Sequence, residues 1–180
     1  MQSVKIENIS ITKLKTDVIV NAANEYLQEG GGVCGAIFAA AGREDLRRAC
    51  NRIGHCDTGS AVITQGYRLC RYIIHAVGPV WTGGHHHEGS LLYGAYRSAL
   101  NLAKEYDCHS IGFPLISSGI YGYPVKEAWE KAVQAVNDWF KSHPDYDLEV
   151  VFAVLDEEIM DTGKDAVLGY MPVYAADLSE

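Results

Sequence analysis

The 180-residue chain is 48% apolar and 21% charged, a balance that predicts one soluble domain spanning residues 1–180 with a core of its own. Its formal charge of −8 disfavours general nucleic-acid binding, which draws on clustered Lys and Arg. No apolar run reaches the roughly 18 residues of a membrane span, and Met1-Gln2-Ser3-Val4-Lys5 lacks the apolar core of a secretion signal. Five cysteines at 34, 50, 56, 70 and 108 include no Cys-x-x-Cys pair, so reduced thiols in a cytoplasmic protein are expected, without a disulfide framework or zinc cluster.

In chain order, Val4-Lys5-Ile6-Glu7 and Val18-Ile19-Val20-Asn21 read as strands. Helical spacing follows over residues 35–41 and 44–53, divided by Gly42. Ser60-Ala61-Val62-Ile63-Thr64 and Tyr72-Ile73-Ile74-His75-Ala76-Val77 are two further strands, the second closed by Gly78-Pro79. A polar loop over residues 81–89 leads to a helix over 90–106, whose Leu92, Tyr96, Leu100 and Ala103 share one face. Ser110-Ile111-Gly112-Phe113-Pro114-Leu115 is a short buried strand, and residues 125–141 form an apolar-faced helix. The run from Leu148 to Leu155 is the last clear strand, 156–170 a weaker helix and 171–180 a tail. Strands alternating with helices predict an α/β layer sandwich with a largely parallel sheet, in which ligands sit beyond the carboxyl ends of strands.

Two segments leave such strand ends. In the first, Asn21-Ala22-Ala23-Asn24 precedes Gly30-Gly31-Gly32-Val33-Cys34 and a small-residue helix. Glycines let bare backbone approach a ligand, and a helix N-terminus offers unpaired N–H groups to an anion. A surface turn explains many glycine runs, but the paired asparagines favour a phosphate cradle. The second segment, Ile116-Ser117-Ser118-Gly119-Ile120-Tyr121-Gly122-Tyr123-Pro124, combines hydroxyls, glycines and tyrosines between strand and helix. Its backbone can converge on an anion while a tyrosine covers a sugar, although a plain strand-to-helix turn has the same composition.

With Gly59-Ser60-Ala61-Val62-Ile63-Thr64 and the strand from Tyr72 to Pro79 between them, these segments resemble the macrodomain family over residues 11–155. The likeness is to its MacroD-type branch, whose Val-Asn-Ala-Ala-Asn, Gly-Gly-Gly-Val, Gly-Ala-Ile and Ala-Ala-Gly pieces stand here from Val20 to Gly42. The resemblance implies a three-layer α/β/α sandwich with a central mixed, largely parallel sheet. It also implies a cleft for ADP-ribose and the removal of ADP-ribose from acidic side chains, or deacetylation of O-acetyl-ADP-ribose. No metal or organic cofactor is implied; the expected partner is ADP-ribose or an ADP-ribosylated protein.

By the same resemblance, Asn24, Gly32 and Cys34 occupy the reacting centre, Asn24 bonds the distal ribose, and Gly31, Gly32 and Val33 line that ribose and one phosphate. Ser118, Gly119, Ile120 and Tyr121 wrap the diphosphate, with Tyr121 beside the distal ribose; Ala23 and Ser117 also bind ligand, and Ser10, Ile11 and Leu155 border the adenine. Asn21 either pins the first loop or touches ligand. Three positions depart from the family pattern. Cys34 stands where the branch usually has an aspartate thought to activate or position water; it is either a small packing residue or a thiol made reactive by its helix end. Ser10 replaces an aspartate that accepts from the adenine amino group, and Leu155 replaces an aromatic over the base. Weaker base recognition follows, unless Asp17 substitutes. The missing aspartate keeps a non-catalytic ADP-ribose reader open beside the hydrolase, whereas an RNA-associated role is disfavoured by the charge.

Other features have plain readings. His85-His86-His87 sits in a solvated loop, since adjacent residues rarely face one ion together. His75 reads as a hydrogen-bonded core residue, Trp81, Trp129 and Trp139 as packing, and Asp156-Glu157-Glu158 as a helix start.

Overall fold

Residues that alternate within an apolar strand bury both faces of a sheet, and the central strands here do so. The computed structural model describes residues 1–178, apart from the side chain of residue 177. Strands β1 (Ser3–Asn8), β2 (Val18–Ala23), β3 (Ala61–Gln65), β4 (Tyr72–Val77), β5 (Ser110–Phe113) and β6 (Glu149–Val154) form one sheet in the order β1-β6-β5-β2-β4-β3. Only β3, at the edge, runs antiparallel to its neighbour; the other pairings are parallel. Helices are α1 (Gly32–Ala41), α2 (Arg43–Ile53), α3 (Glu88–Glu105), α4 (Val125–Ser142) and α5 (Glu157–Tyr170).

Val18 and Val20 of β2, Ile74 and Ala76 of β4, and Val150 and Phe152 of β6 share one core with α3, α4 and Val167 of α5. The intervening Ile19, Ala23, Ile73, Val77, Val151 and Ala153 belong to a second core with Ile37 and Phe38 of α1 and Leu46 of α2. Two cores on opposite faces make the three-layer α/β/α sandwich. Phe152 is fully buried against Phe113 at 5.6 Å and Trp129 at 5.1 Å between ring centroids. Truncating a ring so enclosed costs about 3–5 kcal/mol.

Several expectations are corrected. Helix α1 begins at Gly32 rather than Gly35, so the glycine run leads directly into it, with Gly31 as its N-cap. Helix α3 begins at Glu88 rather than Ser90, absorbing the end of the polar loop. The expected tail is folded as far as it is described, and residues 179–180 lie outside the described residues. Met171 is buried, Pro172–Leu178 form a 3-10 helix, and Tyr174 packs on Phe140 at 5.5 Å. Its apolar residues cover the core beside α5 that the helices leave open. Asp156 caps α5 by accepting from the Ile159 N–H at 3.0 Å. Among the described residues no helix is long and apolar enough to cross a membrane.

Candidate functional site

Because β1, β6, β5, β2 and β4 are parallel, the segments leaving them gather at one edge of the sheet. They enclose a cleft of ≈ 550 Å³, within the usual range for a small-molecule site. Every residue assigned above to the ligand, from Ser10 to Leu155, borders this one cleft. Residues 9–11 after β1 and 153–155 of β6 line an apolar half, together with Ile159. The segments after β2, β5 and β4 line the other half with glycines and polar backbone. Gly78, Ile159 and the strand-end residues Ala153 and Val154 were not foreseen; the apolar ends of strands at the expected rim were the available signal.

The first loop is held by its own side chains. Asn24 Oδ1 accepts from the Tyr26 and Gln28 N–H groups, both at 3.1 Å, and Asn24 Nδ2 donates to the Gln28 carbonyl at 2.9 Å. Asn24 therefore pins this loop, the role considered for Asn21, with one Nδ2 hydrogen left over. Gly30 N–H donates to Cys34 Sγ at 3.4 Å, and the thiol donates to the Gln28 carbonyl at 3.8 Å. Cys34 is 6% exposed and staples the loop to α1. Gly35 permits that approach: a Cβ there would lie 2.8 Å from the Gly30 carbonyl oxygen. Gly32, at φ +57°, then turns the chain into α1, whose first N–H groups, on Gly32, Val33 and Cys34, have no intrahelical acceptor.

Asn21 lies in the core rather than at the rim. It is 1% exposed, and its Nδ2 donates to Nδ1 of the fully buried His75 at 3.1 Å. An amide nitrogen only donates, so His75 carries its proton on Nε2 and donates to Thr64 Oγ1 at 3.0 Å. Burial pushes the His75 pKa down to about 4, so the ring is neutral at physiological pH. This chain of groups borders none of the cleft.

The second loop meets the first across the cleft. Tyr123 N–H donates to the Ser117 carbonyl at 2.9 Å, Gly122 N–H to Gly119 at 3.0 Å, and Trp81 N–H to Tyr121 at 2.8 Å. The N–H groups of Gly119, Ile120 and Tyr121 find no acceptor among the described residues. Ser117 is 6% exposed, adopts φ +68°, and its hydroxyl has no partner among the described residues. Room for it comes from Gly78, where a Cβ would lie 2.2 Å from Ser117 Oγ. Ile120, at 88% exposed, stands free at the lip.

Among the described residues the only ionisable side chains lining the cleft are Cys34 and Tyr121. Burial, with nearby Glu25 and Cys34, raises the Tyr121 pKa above its ordinary range. In the apolar half the Ser10 hydroxyl pairs with Thr12 Oγ1 at 3.0 Å. Asp17 cannot stand in for Ser10: it precedes β2 at the opposite end of the sheet, where it accepts from the His109 N–H at 2.8 Å. The cleft thus offers many donors, few acceptors and no cationic side chain. It suits an anion flanked by sugars, with a flat apolar group at one end.

The Macro domain family model matches residues 20–132. A Macro domain-containing protein of Chlorobaculum tepidum is 47% identical over 158 residues, 87% of this chain and 91% of that protein. An O-acetyl-ADP-ribose deacetylase of Salmonella gallinarum is 50% identical over 155 residues, covering 82% of this chain and 84% of that one. Among solved structures, the Oceanobacillus iheyensis macrodomain with ADP superposes with a TM-score of 0.86 at 39% identity, covering 93% of this chain and 91% of that one.

Proposed function

The chain belongs to the Macro domain family, and from that premise we propose that its cleft binds ADP-ribose and hydrolyses ADP-ribosyl esters. The substrates in this reading are mono-ADP-ribosylated acidic side chains or O-acetyl-ADP-ribose. The observation that carries it is the pairing of unsatisfied N–H groups on both sides of the cleft: those of Gly32, Val33 and Cys34 face a loop offering those of Gly119, Ile120 and Tyr121. Such convergent donors hold a diphosphate without charged side chains. The apolar half takes the base, and the distal ribose falls near Asn24, Cys34 and Tyr121.

In the reaction, water adds at the ester linkage, the C–O bond between carboxyl group and ribose breaks, and a carboxylic acid and free ADP-ribose leave. Among the described residues the cleft has no carboxylate to take the proton. Phosphate and backbone therefore orient the water, and the proton leaves with the product acid. Catalysis of this kind rests on positioning rather than on a strong base.

A second reading, a binding module without turnover, is favoured by the engagement of the Cys34 thiol with the loop backbone. Incubation with an auto-ADP-ribosylated carrier and with O-acetyl-ADP-ribose separates the two. Release of ADP-ribose supports the hydrolase, whereas tight binding without release leaves the reader. Calorimetry that finds equal affinity for ADP-ribose, ADP and AMP would remove the distal-ribose contacts and with them the esterase reading.

A further inference from the structure

Glu88 is a buried carboxylate that the chemistry above does not use. It opens α3 and is 1% exposed, although residues 82–87 around it are exposed. Gly83, Gly84 and His87 take positive φ values of 100°, 86° and 62°, which curl this loop so that its N–H groups converge. Glu88 Oε2 accepts from the Gly84 N–H at 2.7 Å, the Thr82 N–H at 3.1 Å and the Thr82 hydroxyl at 3.4 Å. Glu88 Oε1 accepts from the His86 N–H at 2.5 Å. Burial alone would raise its pKa, but the N–H donors of Gly84, Thr82 and His86 outweigh it and hold the carboxyl at about 2.

A buried charge is retained only where donors compensate it. Here the compensated loop holds Trp81. The Trp81 ring lies on the bare Gly84, where a Cβ would fall 2.8 Å from its Cη2, and on Tyr123, with ring centroids 4.7 Å apart. The Trp81 N–H donates to the Tyr121 carbonyl at 2.8 Å. Tyr121 lines the cleft, and it and Tyr123 flank Gly122 in the second loop. A chain of contacts thus runs from the Glu88 carboxylate through the 82–87 loop and Trp81 to the wall of the cleft.

We propose that Glu88 is a positioning residue for the ligand cleft, fixing the Gly119–Tyr121 backbone through Trp81 without touching ligand. The inference rests on the reading of the cleft as an ADP-ribose site. Its test is calorimetric titration of the full chain and its E88A variant with ADP-ribose and with AMP, which lacks the second phosphate and the distal ribose. E88A is expected to weaken ADP-ribose about tenfold while AMP changes less than twofold. Sodium formate, small enough to occupy the vacated ring of N–H groups, should restore ADP-ribose affinity to E88A and give the wild type no gain. Trp129 and Trp139 are buried, so iodide quenching of fluorescence reads Trp81 and should rise in E88A and fall again with formate.

Where E88A does not fold, W81L tests the same brace: it removes the ring packed on Gly84 and Tyr123 while Glu88 and its N–H donors remain, and the same selective loss is expected. Wild-type binding of ADP-ribose with unchanged affinity in a folded variant overturns the inference alone. So does an equal loss for ADP-ribose and AMP, or a loss that formate leaves in place. Failure of the wild type to bind ADP-ribose overturns the underlying reading instead.

Discussion

Ser117→Gly is expected to raise the melting temperature and leave ADP-ribose affinity nearly unchanged, because Ser117 carries two local costs while its hydroxyl oxygen is closed off from the cleft. Its φ of +68° is a left-handed conformation that costs a residue with a Cβ about 1–2 kcal/mol. Its hydroxyl is buried without a partner among the described residues, a further cost of about 1–3 kcal/mol. Glycine removes both but gives back about 0.5–1 kcal/mol through the greater freedom of the unfolded chain. With both costs at their lower ends and the glycine term at its upper end, the net gain is about 1 kcal/mol, which for a domain of this length raises Tm by about 2–4 °C. The hydroxyl oxygen is enclosed even with the cleft empty, so affinity should change less than about twofold. Calorimetric unfolding and titration with ADP-ribose read both effects. A fall in Tm would mean that Ser117 is structural. A tenfold loss of affinity would mean that the hydroxyl turns to the ligand.

Three further outcomes follow from the same geometry. The folded His75 pKa of about 4 lies below its ordinary value near 6.5, so between these pH values the unfolded chain binds a proton that the folded one does not. Stability should be full above pH 6.5 and decline by up to about 3 kcal/mol toward pH 4; a His75→Gln variant that keeps the same slope in chemical denaturation would refute this. Since no Lys or Arg lines the cleft, ADP-ribose affinity should change less than about twofold between roughly 50 and 500 mM salt, and a steep salt dependence would mean a missed cation. Cys34→Ala removes only the staple to Gly30 and Gln28 and should retain most ester hydrolysis, while Cys34→Asp should raise it; abolished turnover in Cys34→Ala would make the thiol catalytic.

Strand positions were legible because apolar alternation repeats within a few residues, and the rim followed from the parallel order of strands and helices. The two glycine-bearing loops were visible as composition. What escaped the sequence depends on partners far along the chain. Asn21 and Asn24 look alike, yet one bonds His75, 54 positions away, while the other bonds its own loop. Gly32 has poor helix propensity, so the start of α1 moved to it only because packing of Ile37 and Phe38 fixes the rest of the helix. Glu88 was hidden beside three histidines that draw the eye. Its role emerges only when the positive φ values of Gly83, Gly84 and His87 turn the backbone toward it.

The scarcity of acceptors in the cleft makes the pH profile of turnover the sharpest discriminator between chemistries. A carboxylate base would impose an acid limb, with the rate falling as the carboxyl protonates. No Asp, Glu or His lines this cleft, and Tyr121, raised by burial and by the Glu25 charge, does not ionise near neutrality. If phosphate and backbone orient the water, turnover should be nearly flat from about pH 5.5 to 8 at constant fold, since no cleft carboxylate or imidazole titrates in that interval. The acid end of that range overlaps the loss of stability that begins below about pH 6.5 through His75, which His75→Gln removes as a confounding factor. An acid limb that persists in His75→Gln would show a carboxylate or imidazole reaching the ester from outside the cleft lining. Glu25 is the first candidate, being close enough to Tyr121 to shift it, and Glu25→Gln would then abolish the limb.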